Sequence, residues 1–250
     1  MFDREKQVIS KGVSSVKFLN KKVSRQLYNV YQKHRPNTFM EVLRVVDAET
    51  ECDDRQLSNL IKIDYFAEYG NCAELLKLYD IYKYFKRGEA KSIKKDKLTN
   101  ETLAGIVKAY STDVGVNGNE LKSYTITDMN AILRDCEQVI RSYNIPDLDI
   151  KVKIANQLEL LGYIDIVTGN PRDRKRLIVL EVFPLRGAGG VPWGHGITVR
   201  SIGTGNEARL TIREKRFEKK PLVPLNVIWS TDLYKNQKGY WYLDDYEILV

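Results

Sequence analysis

Residues 9–28 read ISKGVSSVKFLNKKVSRQLY. Within and just beyond this stretch, Val16, Leu19, Val23, Leu27 and Val30 recur at steps of three and four residues, the period of one face of an α-helix. The stretch contains no acidic residue and carries Lys11, Lys17, Lys21, Lys22 and Arg25. Asn20 is placed to cap a helix whose opening then holds Lys21, Lys22 and Arg25. The field of a helix disfavours cations at that end, by about 0.3–1 kcal/mol each. A phosphate held on the first-turn N–H groups would resolve the conflict. The alternative is a solvated basic face whose cap lies elsewhere.

The same helical spacing continues outward. Leu57, Leu60 and Ile61 mark a helix opened by Asp53 or Asp54, and Asn71–Glu74 reads as a capping-box-like start for one carrying Leu75, Leu76, Leu78, Tyr79 and Tyr82. Residues 14–85 therefore read as helical hairpins. Residues 86–125 are polar, carry Gly115, Gly118 and Asn119, and read as short helices and a linker. Helical spacing returns over 126–143, ends by Pro146, and returns over 150–161 up to Gly162. After 162 the texture changes. Ile164–Thr168, Leu177–Leu185, Ile197–Ile202, Arg209–Phe217, Val227–Leu233 and Tyr240–Val250 are β-rich runs separated by Gly, Pro and Asn. The expectation is an α+β chain: an all-helical region at 1–85, a helical connector at 86–162, and a small β-barrel at 163–250.

The chain has 250 residues and a net charge of +7. Residues 1–35 hold nine cations against Asp3 and Glu5, a surplus equal to the whole net charge. Clustered positive charge points to a polyanionic partner. Cys52, Cys72 and Cys136 are odd in number and far apart, which excludes a disulfide framework and fits a reducing cytoplasm. No apolar leader and no run of membrane-spanning length is evident, so no membrane role is expected.

Three segments then carry a resemblance. ISKGVSSVKFLN, TFMEVLRVV (38–46) and RQLSNLIKIDYFAEYGNCAELL (55–76) resemble, in order and spacing over residues 8–82, the tandem helix-hairpin-helix region of the bacterial replicative DNA polymerase III alpha-subunit family. QLELLGY (157–163) resembles the segment that precedes that family's OB-type nucleic-acid-binding domain. The resemblance implies the C-terminal portion of such a polymerase, without its palm. It departs from the pattern where the hairpins would carry glycine. Phe18 and Asn20 stand in the first turn and Asp64 in the second, with Asn20 expected to adopt the left-handed conformation. The first hairpin, through Lys17, Asn20, Lys21, Lys22 and Arg25, is the expected duplex contact. Asp64 would repel phosphate, so the second hairpin is expected to be structural. Arg55 and Lys62 either touch DNA or pair with Asp53, Asp54 or Asp64.

In the β region, Leu210 and Ile212 alternate with Arg209, Thr211 and Arg213, with Lys215 following, and Tyr240 and Tyr242 alternate with Trp241 and Leu243. Cations that track a backbone beside rings that stack bases would suit a single strand; the other reading is a polar strand face turned to water. RGAGGVPWGHG (186–196) lacks Gly-Lys-Ser/Thr and reads as an inter-strand loop, with Trp193 and His195 either stacking a base or packed. Gly203–Asn206 reads as a hairpin turn.

Pro146-Asp147-Leu148-Asp149 has no accompanying third carboxylate for two metal ions and reads as a loop in which Asp147 or Asp149 caps the next helix. With no metal-ligand, dinucleotide or nucleophile constellation, no cofactor, metal or catalytic residue is expected in this chain. The expected function is DNA binding: duplex primer–template through residues 1–85 and single strand through the barrel, with a separate palm-containing chain as a possible partner. The rival expectation is a protein-interaction module.

Overall fold

In the computed structural model, residues 2–3, 8–9 and 15–249 are described. The chain divides into two compact units, Met1–Asp149 with Glu159–Gly162, and Ile150–Leu158 with Tyr163–Val250. Helix and strand are mixed, as the α+β reading requires.

In the first unit, β1 (Phe2–Asp3) pairs antiparallel with β2 (Val8–Ile9). Four helices follow: α1 (Lys21–Lys33), α2 (Phe39–Glu49), α3 (Asp54–Lys62) and α4 (Cys72–Tyr84). Each begins where a short polar side chain takes an orphan N–H. Asn20 accepts from Val23, Thr38 from Glu41, Asp53 from Gln56 and Asn71 from Glu74. The reciprocal capping box forms at Asp53–Gln56. Val16, Leu19, Val23, Leu27 and Val30 are all buried in one core with Leu57, Leu60, Ile61, Leu75 and Leu78.

The stretch expected to be short helices and a linker holds a sheet. β3 (Ser92–Lys94), β4 (Ser111–Val114) and β5 (Glu120–Ile126) pair antiparallel in the order β3-β5-β4, with α5 (Glu101–Ala109) between β3 and β4. Strands of three and four residues are too short to show alternation. α6 (Met129–Ser142) then packs Ile132, Leu133 and Cys136 into the same core. It stops before Pro146, with Asn144 left-handed at φ 46°. Asp147 does cap a helix, but an earlier one: its Oδ1 accepts the Cys72 N–H of α4 at 3.1 Å.

Two polar clusters fasten the helices of this unit. Glu137 of α6, only 3% exposed, accepts the N–H groups of Phe39 at 3.0 Å and Met40 at 2.9 Å, the first two residues of α2. Arg87, left-handed at φ 56°, pairs with both Asp47 and Asp54, while the Tyr79 hydroxyl donates to Asp54 at 2.8 Å.

α7 (Ile150–Leu161) contributes Ile150–Leu158 to the second unit. There β6 (Arg176–Arg186), β7 (Pro192–Ser201), β8 (Glu207–Arg213), β9 (Val227–Lys235) and β10 (Trp241–Ile248) form a closed barrel in the order β10-β8-β7-β6-β9. All pairings are antiparallel except β8 with β10. α8 (Glu214–Lys219) lies between β8 and β9. Leu210 and Ile212 point into the barrel with Val199, Ile228 and Leu243, while Arg209 and Arg213 are exposed. Three strand expectations change. Residues 192–196, expected within an inter-strand loop, open β7 and pair with β6. Residues 164–168 form no strand, although the Thr168 N–H bonds the Ile202 carbonyl. The run 209–217 ends as a strand at Arg213, where α8 starts, so Lys215 is helical. Among the described residues, no helix is long and apolar enough to cross a membrane.

Candidate nucleic-acid interface

An open groove of about 800 Å³ runs across the barrel. β7 supplies Trp193, β8 supplies Arg209 and Thr211, and β10 supplies Trp241 and Tyr242. The β9–β10 turn closes one side with Lys238 and Tyr240, and no acidic side chain lines the groove among the described residues. The floor owes its shape to Gly196. It faces Phe183 across the β6–β7 pair, and a Cβ there would overlap the Phe183 ring.

The turn is built locally. The Asn236 side chain accepts from the N–H groups of Lys238 at 3.0 Å and Tyr240 at 2.9 Å, and Gly239 takes φ 87°. This Asx-type closure fixes the cation and the ring at the lip. Tyr240, Trp193 and Trp241 remain 63%, 44% and 40% exposed. Tyr242 instead stacks on Tyr234, with centroids 5.5 Å apart and planes at 14°. Arg213 donates to the Tyr234 hydroxyl at 3.3 Å and sits 5.9 Å from the Tyr242 ring. Lys235 stands 5.8 Å from the Trp241 ring.

Of the barrel residues expected from sequence, Arg209, Tyr240 and Tyr242 thus meet in one groove, Arg213 borders it through Tyr242, and Lys215 lies outside it. Alternation would have sent Trp241 inward with Leu243; at the strand's start both Trp241 and Tyr242 reach the groove. His195 is occupied. Its ring stacks on Phe217 at 3.7 Å and its Nδ1 lies 3.4 Å from the Glu214 carboxylate. Lys235, Asn236, Lys238 and Trp241 were not singled out from sequence. The string YKNQKGYW (234–241) held the signal: an Asn-x-x-Gly turn between rings and cations.

The N-terminal side of the expected first hairpin lies outside the described residues; residues 15–20, which lead into α1, are described. Asn20 caps α1 in extended conformation, φ −89°, so the left-handed residue is not Asn20. That conformation falls on Phe18, φ 72°. The second turn repeats the pattern with Asp64 at φ 62°. Aspartate tolerates this region through its short polar side chain; phenylalanine does not, and holding it there costs about 1–2 kcal/mol. The turn is clamped from three sides. The Lys17 N–H bonds the Leu160 carbonyl at 2.7 Å, the Leu19 N–H bonds Val16 at 3.1 Å, and the Gln56 amide donates to the Phe18 carbonyl at 3.0 Å.

The cations of this turn do not act as one set. No acid stands in the first turn of α1. Lys21 and Arg25, four residues apart, share an exposed face, but Lys22 pairs with Glu51. Two turn amides, those of Lys17 and Leu19, are already used inside the unit. The Arg55 guanidinium lies 3.7 Å from the Phe18 ring centroid. Lys17 approaches the same ring at 5.2 Å. Lys62 closes α3, seven residues and about 10 Å along the helix from Arg55. The helix field favours a cation at that end without a ligand.

Burial pushes the thiols of Cys52 and Cys136 up to about 12, so neither is a nucleophile. No family model matches the chain, and no curated protein or solved structure is significantly similar to it.

Proposed function

We propose that this chain binds nucleic acid without reading sequence, taking single strand in the barrel groove and duplex backbone on the helical unit. The groove carries the proposal: three exposed aromatic rings and flanking cations, with no acid among the described lining residues. Rings stack bases of any identity, and cations follow the backbone. The topology supports an OB-like reading. The strand order, the single parallel contact of β8 with β10 and the helix after the third strand match a five-stranded Greek-key barrel whose second and third strands, with the turns joining strands one to two and four to five, form the ligand face. Trp193, Arg209 and the 236–240 turn occupy those places.

The duplex half of the proposal rests on Lys17, Lys21, Arg25 and Arg55, exposed around one turn. With the resemblance carried by LIKIDYF and its neighbours, the proposal extends to the DNA-binding portion of a polymerase III alpha-like protein, working beside a palm-containing chain in a reducing cytoplasm. One observation favours the rival docking function. A cleft of about 740 Å³ in the helical unit is lined by Tyr31, Tyr65, Phe66 and Tyr69 over Leu27 and Val42.

Anisotropy of labelled oligo(dT) and of a blunt duplex across a salt series separates the two. Four cations border the groove: Arg209, Arg213, Lys235 and Lys238. Single-strand affinity should therefore fall with a log–log slope of about −3. Weak, salt-independent binding to both substrates would sink the proposal in favour of docking.

A further inference from the structure

Phe18 is the least expected residue of the helical unit. It occupies a left-handed position at φ 72°, which glycine would hold without strain. The residue is nevertheless 41% exposed, so burial does not repay the conformation. Strain that packing does not require concentrates where a side chain has work to do. The ring's surroundings indicate the partner. Arg55 backs the ring at 3.7 Å, Lys17 stands at 5.2 Å, and Lys21 and Arg25 are exposed on the adjoining helix. An exposed apolar side chain flanked by cations is complementary to a polyanion with an apolar interior, which describes a stacked duplex.

We propose that Phe18 is a wedge that enters a base step of duplex DNA, held by its strained backbone and by the Arg55 guanidinium, while Lys17, Lys21 and Arg25 meet the flanking phosphates. The inference rests on the duplex half of the proposed function. Wedges of this kind unstack a step and kink the duplex by about 20–90°. The cations set position and carry no base information, so the kink is expected at flexible pyrimidine–purine steps. Arg55 then has a role as a positioning residue, keeping one ring face covered and the ring edge outward.

The test uses the full chain and a 20-base-pair duplex with one central TA step, labelled at both ends for energy transfer. The wild-type chain should shorten the end-to-end distance on binding. Phe18→Gly should abolish that shortening and lower duplex affinity about three- to tenfold. It should leave oligo(dT) affinity unchanged and melt no lower than wild type, because glycine relieves the backbone. Arg55→Ala should reduce the bend. Lys21→Glu with Arg25→Glu should lower duplex affinity by more than tenfold. If the wild-type chain binds duplex without bending it, or F18G bends it equally, the wedge is wrong and the duplex-binding reading stands. If F18G melts several degrees lower, the ring belongs to packing and the wedge is wrong. If the wild-type chain fails to bind duplex in a salt-dependent way, the reading beneath the wedge falls with it.

Discussion

Truncating the rings of the barrel groove tests the proposed function most sharply, because their cost to binding and to folding can be separated. Tyr240 and Trp241 are 63% and 40% exposed, so neither contributes much to the barrel core. A large aromatic side chain presents about 200 Å². Roughly 80–125 Å² of each ring is therefore open, of which a stacked base would cover about half. At about 25 cal/mol per Å², that is about 1–1.5 kcal/mol per ring, at the lower edge of the 1–3 kcal/mol that base stacking contributes. Tyr240→Ala and Trp241→Ala should each weaken oligo(dT) binding about 5- to 13-fold. Each should shift the melting temperature by less than about 2 °C and change duplex affinity less than threefold. The salt slope adds a second axis. Rings release no counterions, so the slope should stay unchanged in both variants. Arg209→Ala and Lys238→Ala should each flatten it by about 0.7. Anisotropy titrations at four salt concentrations read both quantities. Equal losses on both substrates, or aromatic variants that alter the slope and not the intercept, would refute the stacking argument.

Two further outcomes follow from the polar clusters of the helical unit. Glu137→Ala leaves the buried N–H groups of Phe39 and Met40 without an acceptor. At about 1–3 kcal/mol for each orphaned donor, the loss should be about 2–6 kcal/mol, read as a lower chemical-denaturation midpoint; a change under about 1 kcal/mol would show the amides hydrated instead. The Asp54 carboxyl is held below the ordinary aspartate range by the Tyr79 hydroxyl and then by Arg87. A depressed folded-state value stabilises above the unfolded value, and that contribution is lost as pH falls through the folded one. Acid unfolding below about pH 4 should therefore be less steep in Asp54→Asn, and identical acid limbs in the two proteins would contradict the sign.

The parts of this fold that sequence discloses are those set by local chemistry. Val23, Leu27 and Val30 recur at helical spacing, and Asn20, Thr38, Asp53 and Asn71 each cap the helix that follows. The barrel strands show because Leu210 and Ile212 alternate with arginines around turn residues. The small sheet of residues 92–126 does not show, because its side chains are mostly polar and two of its strands are too short for a period. The groove is legible only in pieces. Trp193, Arg209 and Tyr240 lie 16 and 31 residues apart and become neighbours only when β10 closes against β8.

Charge totals mislead in a way the structure explains. The surplus of the first 35 residues equals the whole net charge, which puts the electrostatic weight on the helical unit. Within it, however, Lys22 pairs with Glu51, and Lys33 shares Glu49 with His34. These acids come from residues 36–54, which hold Glu41, Asp47, Glu49, Glu51, Asp53 and Asp54 against Arg44. Folding places the acids of that segment beside cations of the previous one and, among the described residues, leaves a smaller exposed patch around Phe18. The barrel works the other way. Its acids are as frequent as in any ordinary domain, but Asp232, Asp244 and Glu247 lie outside the groove lining, so a few cations act there unopposed. The local field at a groove, set by which charges face it, governs an approaching strand more than the sum over a segment does. For this reason the barrel groove, and not the most basic stretch of the sequence, presents the less opposed positive charge, and the first hairpin stands out by the geometry of one strained phenylalanine.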